Sequence, residues 1–189
     1  MGDKFQYKCK LSKNKLNILY NRQHGKCIYC NYNIDLTKEK GKHWNIEHII
    51  PRVVFKWTEH KLSKDESHNL FKLHSSMDNL ALAHYKCNIQ KDSSIIKYKD
   101  INNMEVDEQT KQKYIEILDN SKKYINLYND IRNRLYNKQH KRCAICKQRL
   151  IFNTSVLRRK DDTKDRTEDN GILICQKCSY KIHRIRRKI

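Results

Sequence analysis

The chain has 189 residues, with 41 Lys or Arg against 21 Asp or Glu, and a formal net charge of +20. With 38% hydrophobic and 33% charged residues a large apolar core is excluded, and thin-cored domains depend on staples such as metals or disulfides. No apolar run approaches the ~20 residues that span a bilayer, and the polar stretch Met1–Lys15 lacks a secretory signal, so the expectation is a soluble, intracellular, cytoplasmic protein whose cationic excess meets a polyanion, nucleic acid first of all.

In chain order, Lys13 to His24 reads as a helix with Leu16, Leu19 and Tyr20 on one face. Trp44 to Pro51 reads as a strand ended by its proline. Residues 55–77 read as a polar, irregular insertion. Asn79 to Ala83 is a short apolar strand and Tyr85 to Lys91 a helix. Residues 93–103 read as a linker. Asp107 to His140 reads as one long helix, with a stripe through Tyr114, Ile117 or Leu118, Tyr124, Tyr128, Ile131 and Leu135. The basic tail Lys181 to Lys188 reads as helical.

A repeat underlies this order. LYNRQHGKCIYC at Leu19–Cys30 returns as LYNKQHKRCAIC at Leu135–Cys146, with Leu, Tyr, Asn, Gln, His and both Cys in register. Downstream, Asp78-Asn79 runs to Cys87 as Asp169-Asn170 runs to Cys178. Duplication of one supersecondary unit is the simplest account.

Seven of the eight cysteines fall in this frame, and Cys9 stands alone as a bystander thiol. Cys143, Cys146, Cys175 and Cys178 form two Cys-x-x-Cys pairs, the spacing of a structural zinc site; a redox role for one pair is the alternative. The first copy has Cys27, Cys30 and Cys87, with His84 at the position of Cys175. Imidazole replaces thiolate readily, so a Cys3His zinc site is expected there.

The elements Cys27-x-x-Cys30, Glu47-His48-Ile49-Ile50-Pro51, Asn79-Leu80 and His84-x-x-Cys87-Asn88-x-x-Lys91 together resemble the HNH (ββα-metal) endonuclease family, over roughly residues 16–92. The resemblance implies that His48 is the general base toward water, that Asn79 holds the His48 segment, and that Asn88 and Glu47 give oxygens to a catalytic Mg2+ or Mn2+. The family often has Asp or His where this chain has Glu47. Adjacent strand residues point to opposite faces, so Glu47 and His48 serve one site only where the strand is irregular or ends.

The second copy lacks the chemistry. VLRRKDD stands in place of the Glu47-His48 region, and Ser179 in place of Asn88. Its Arg158, Arg159 and Lys160, with Lys91 and Arg52 of the first copy, are candidate DNA contacts. The expected fold is therefore α+β: two ββα-metal-like, zinc-bound repeats joined by a long helix, the second catalytically degenerate. The expected divisions are 1–92 (catalytic), 93–134 (linker and long helix) and 135–189 (DNA-binding). The resemblance extends to small restriction endonucleases with duplicated zinc-bound units, and implies site-specific cutting of double-stranded DNA by a homodimer. A phage or mobile-element homing nuclease or nickase, and a non-catalytic zinc-dependent DNA-binding protein, are the alternatives.

Overall fold

The computed structural model describes residues 11–91 and 94–185, with the side chains of 183–185 left aside. Cys9 and the end of the basic tail lie outside the described residues. The fold is mixed helix and sheet, α+β. Its contacts divide it into two compact units: Met1–Phe55 with Lys61–Lys123, and Lys56–His60 with Tyr124–Ile189.

In the first unit, helix α1 (Lys13–Arg22) opens at Ser12, whose side chain accepts from the Lys15 amide. The helix ends in a left-handed turn at His24 (φ 50°) and Gly25 (φ 71°), where the Gly25 amide donates to the Tyr20 carbonyl at 2.8 Å. Strand β1 (Trp44–His48) pairs antiparallel with β2 (Leu80–His84), setting Glu47 opposite Ala81 and His48 opposite Leu80. Helix α4 (Tyr85–Lys91) follows β2 directly and packs on β1. The core around this hairpin holds Leu19, Ile34, Ile49, Ile50, Leu80 and Leu82, none more than 2% exposed.

Several expected boundaries shift. The strand stops at His48 and not at Pro51, because the next two amides leave the ladder for Asn79: Ile49 donates to its carbonyl and Ile50 to its side-chain oxygen. The stretch expected to be irregular carries two helices, α2 (Arg52–Thr58) and α3 (Lys64–Ser75). Pro51 sits just before α2, where a missing N–H costs nothing. A capping box starts α3, with Ser63 accepting from the Glu66 amide and Glu66 reaching back to the Ser63 amide. The expected linker contains α5 (Tyr98–Asn102).

The single long helix of the sequence reading is two helices, α6 (Glu108–Asn120) and α7 (Lys122–Lys138), broken at Ser121. The run Asp119-Asn120-Ser121 competes for backbone hydrogen bonds and favours a break. Helix α6 belongs to the first unit, and all of α7 from Tyr124 onward to the second.

The second unit repeats the local plan. A turn at His140 (φ 50°) and Lys141 (φ 58°) ends α7, with the Lys141 amide on the Tyr136 carbonyl at 2.9 Å. Strands β3 (Val156–Arg159) and β4 (Gly171–Ile174) pair antiparallel, and α8 (Gln176–Ile185) follows. Gln23 and Gln139 do the same work in their units. Gln23 donates to the carbonyls of Lys26 and Leu82, both at 2.9 Å, and accepts from the Leu82 amide at 2.6 Å. Gln139 donates to Arg142 and Leu173, both at 2.9 Å, and accepts from the Leu173 amide at 2.7 Å. Each bond contributes about 1 kcal/mol net, and each glutamine ties a helix end, a knuckle and a strand together.

Candidate functional site

Two side-chain clusters stand out, each with ligand atoms that lie within 4.8 Å of one another: Cys27, Cys30, His84 and Cys87, and Cys143, Cys146, Cys175 and Cys178. In each, a tight turn after the helix places the first two cysteines, and the start of the helix after the hairpin delivers the last. Asn31 (φ 58°) and Lys147 (φ 61°) hold these turns in the left-handed region. The seven described cysteines are free thiols. Cys146 Sγ lies 3.8 Å from Cys175 Sγ, the separation of two sulfurs at ~2.3 Å from one tetrahedral zinc. His84 turns Nδ1 to Cys30 Sγ (3.2 Å) while its Nε2 faces the Asn33 carbonyl (3.1 Å). That outer contact orients the ring and sets the nitrogen that faces the thiols.

Burial disfavours ionised Cys30, but the Tyr32 backbone and the His84 ring outweigh it and lower its pKa to about 7. Burial and then the neighbouring Cys27 charge push Cys87 up to about 12. The second cluster splits alike: burial opposes ionisation of Cys143, backbone donors led by Cys175 lower it to about 6, and burial followed by its bond to Cys175 pushes Cys178 to about 12. A bound cation would let all the thiols of a cluster ionise together. Both clusters could hold zinc.

Beside the first cluster, β1 ends in buried polar side chains. The Glu47 side chain is 6% exposed and pairs with Lys91 of α4, itself 8% exposed. The same ammonium donates to the His48 carbonyl at 3.0 Å. Tyr29, from the cysteine knuckle, lies beside the carboxylate; burial first, then the Glu47 charge, raise its phenol well above its ordinary value. The His48 ring stacks on His74 of α3, with centroids 4.9 Å apart and planes at 22°. Phe55 meets His74 edge-on at 5.0 Å. His48 is 8% exposed, and its Nε2 has no hydrogen-bond partner among the described residues. Burial above all, then the electrostatic effect of His74 and the positive charges of Arg52 and Lys91, lower its pKa to about 2, so its imidazole is neutral and keeps a lone pair at neutral pH.

Asn79 is wholly buried at the foot of β2. It accepts from the Ile50 amide at 2.8 Å and donates to the His74 carbonyl at 3.3 Å, bracketing the segment that follows His48. Asn88 is half-buried on α4, one turn before Lys91 and on the same helix face. Arg52 is exposed at the start of α2. Arg158 donates to Ser179 at 3.0 Å. Arg159 pairs with Asp162 at 3.4 Å and donates to the Lys164 carbonyl at 2.8 Å. Lys160 is exposed and donates to the Asp169 carbonyl at 2.7 Å.

Sequence reasoning missed Tyr29, His74 and the Glu47–Lys91 pair. Tyr29 carried one signal, an aromatic between two metal ligands. His74, one of several nearby histidines that read as surface residues, is only 3% exposed, a burial its sequence context does not signal. Comparison with protein-family models, with curated proteins and with solved structures finds no match for this chain. No described helix is long and apolar enough to cross a membrane.

Proposed function

We propose that the chain is a metal-dependent endonuclease of the HNH type, cutting double-stranded DNA with its first unit and gripping it with a degenerate second copy. The reading rests on one observation: a buried, neutral imidazole with an unpartnered Nε2, one residue from a buried carboxylate and clamped by an asparagine at the foot of the partner strand. In this reading His48, neutral and with an Nε2 that has no hydrogen-bond partner among the described residues, takes the proton from the attacking water. Asn79 fixes the backbone that carries the ring. Glu47 and Asn88 offer the hard oxygen donors that suit Mg2+ or Mn2+. Such an ion, held by Glu47 and Asn88, would supply charge stabilisation at the phosphate and the leaving oxygen.

The second unit supports the pairing of positions 47 and 88. The glutamine brackets align Leu82 with Leu173, so Glu47 corresponds to Arg158 and Asn88 to Ser179. In that unit the two side chains touch, at 3.0 Å. Asn170 likewise copies Asn79, accepting from Asp161 where Asn79 accepts from Ile50. Duplication of a ββα unit accounts for these coincidences. Two strands require two cuts, so the active form is a homodimer on a symmetric site, as in a type II restriction endonuclease.

One observation favours a second reading, a zinc-stapled DNA-binding protein without catalysis: Lys91 already neutralises Glu47, the carboxylate a metal would need. Plasmid DNA with Mg2+ separates the two. Nuclease function predicts cleavage that His48→Ala abolishes while duplex binding survives. An intact plasmid at every divalent ion tried, with duplex binding retained, leaves the second reading standing and removes the first.

A further inference from the structure

The second unit holds a cavity of about 520 Å³ whose rim carries the cations Lys138, Arg142, Lys147 and Lys160, with His140 beside them and no carboxylate in the lining. Among the described residues, none of the five forms an ion pair with an acidic side chain. Backbone carbonyls hold three of them: Arg142 donates to Lys147 (3.3 Å), Lys147 to Ala144 (2.9 Å) and Lys160 to Asp169 (2.7 Å). These bonds steady each group without cancelling its charge.

The corresponding positions of the first unit are built otherwise. Ala144 and Gly171 of the cavity wall correspond to Ile28 and Leu80, large side chains that are both buried. Lys138 corresponds to Arg22, whose guanidinium is engaged by Asp78 at 3.2 Å and by the Met77 carbonyl at 3.0 Å. Lys160 corresponds to Ile49, which is fully buried. Lys147 takes the left-handed position (φ 61°) that Asn31 fills in the first unit. Asparagine tolerates that conformation and lysine does not favour it. At Gly171 the freed volume is taken up by Leu135 and Trp57, against which a Cβ would lie at 2.8 and 3.4 Å, so what sets the second copy apart is charge: lysines stand where the first copy has a buried isoleucine, an ion-paired arginine and a left-handed asparagine. A strained residue at such a place points to a use for its side chain.

We propose that this cavity is an anchoring site for the phosphodiester backbone of the bound nucleic acid, separate from the cutting site of the first unit. The proposal rests on the nuclease reading above for its ligand class. It also moves the anionic contact of this unit away from Arg158 and Arg159, which are engaged by Ser179 and Asp162, and keeps Lys160.

The test is the salt dependence of binding to a labelled DNA duplex, in zinc-replete buffer without added Mg2+. One variant combines Lys138→Gln, Arg142→Gln, Lys147→Gln and Lys160→Gln. A control removes equal charge from exposed positions of the first unit, with Lys13→Gln, Lys15→Gln, Lys64→Gln and Lys99→Gln. Each lost phosphate contact lowers the slope of log K against log salt by about 0.9. The cavity variant is expected to lose about 2 or more from that slope with its zinc content unchanged, and the control variant less than about half as much. Equal loss in both variants, or no loss in the cavity variant, overturns the proposal while leaving the nuclease reading intact. Saturable binding of inorganic phosphate that the cavity variant abolishes, with its DNA slope unchanged, assigns the hollow to a free anion and overturns it too. Absence of duplex binding by the unaltered protein removes the nuclease reading itself.

Discussion

An imidazole at the end of β1, buried against His74 and near the positive charges of Arg52 and Lys91, behaves unlike histidine in water. Its pKa in the folded chain is about 2 against an ordinary 6.5, so between those values only the unfolded chain takes up the proton. The stability this group contributes is complete above about pH 6.5 and is lost progressively as pH falls toward 2. The melting temperature of the His48→Gln variant should therefore fall less steeply than that of the unaltered protein between about pH 7 and 5. Parallel curves in thermal scans would refute the burial effect. Asn79→Ala removes the acceptor of a buried amide, and should cost about 2–3 kcal/mol in denaturant unfolding; on the proposed nuclease reading it should also abolish cleavage. The identity of Asn79 was legible in the sequence; its two partners were not. The role of Lys91 was the least legible, because its spacing from Asn88 places it on a helix face without saying what that face meets. It meets Glu47, at a sequence distance of 44 residues.

At the scale of elements, the turn after α1 and the turn after α7 use the same backbone with different residues. Gly25 sits at φ 71°, and a Cβ there would lie 2.7 Å from the Tyr20 hydroxyl. Gly25→Ala should destabilise the chain by about 1–3 kcal/mol, through strain and overpacking together. Lys141 holds the equivalent turn at φ 58°, where glycine is unstrained, so Lys141→Gly should stabilise it by about 1 kcal/mol or less. Both follow from urea unfolding, and equal signs for the two changes would contradict the equivalence of the turns. The hairpins, knuckles and terminal helices could be read from short patterns of cysteine and apolar residues. Helix α3 was missed although its Ser63-Lys64-Asp65-Glu66 start is a capping-box signature, because a polar surface helix shows a weak apolar stripe. The break at Ser121 was missed for the opposite reason: the stripe runs on through both α6 and α7, and periodicity alone does not register a local kink.

For the whole molecule, two thin-cored units each carry a cluster of soft ligands that could hold zinc. Chelation should release about two zinc equivalents per chain and unfold both hairpins, followed by metal release and far-ultraviolet circular dichroism. Cys175→Ala should cost one equivalent only, whereas Cys175→His, which recreates the donor set of the first cluster, should retain both. Retention of two equivalents by the alanine variant would show that the second cluster is not the site. The sequence by itself determined which residues could bind metal, that the chain is strongly cationic, and that one motif occurs twice, since all three are matters of composition and short spacing. Only the tertiary structure decided that Lys91 and Tyr29 crowd Glu47, that His74 covers His48, and that a cationic hollow opens in the second unit. Those neighbours are brought together by strand pairing and helix packing across long stretches of chain, and burial, which sets their charge states, has no meaning until the chain has folded.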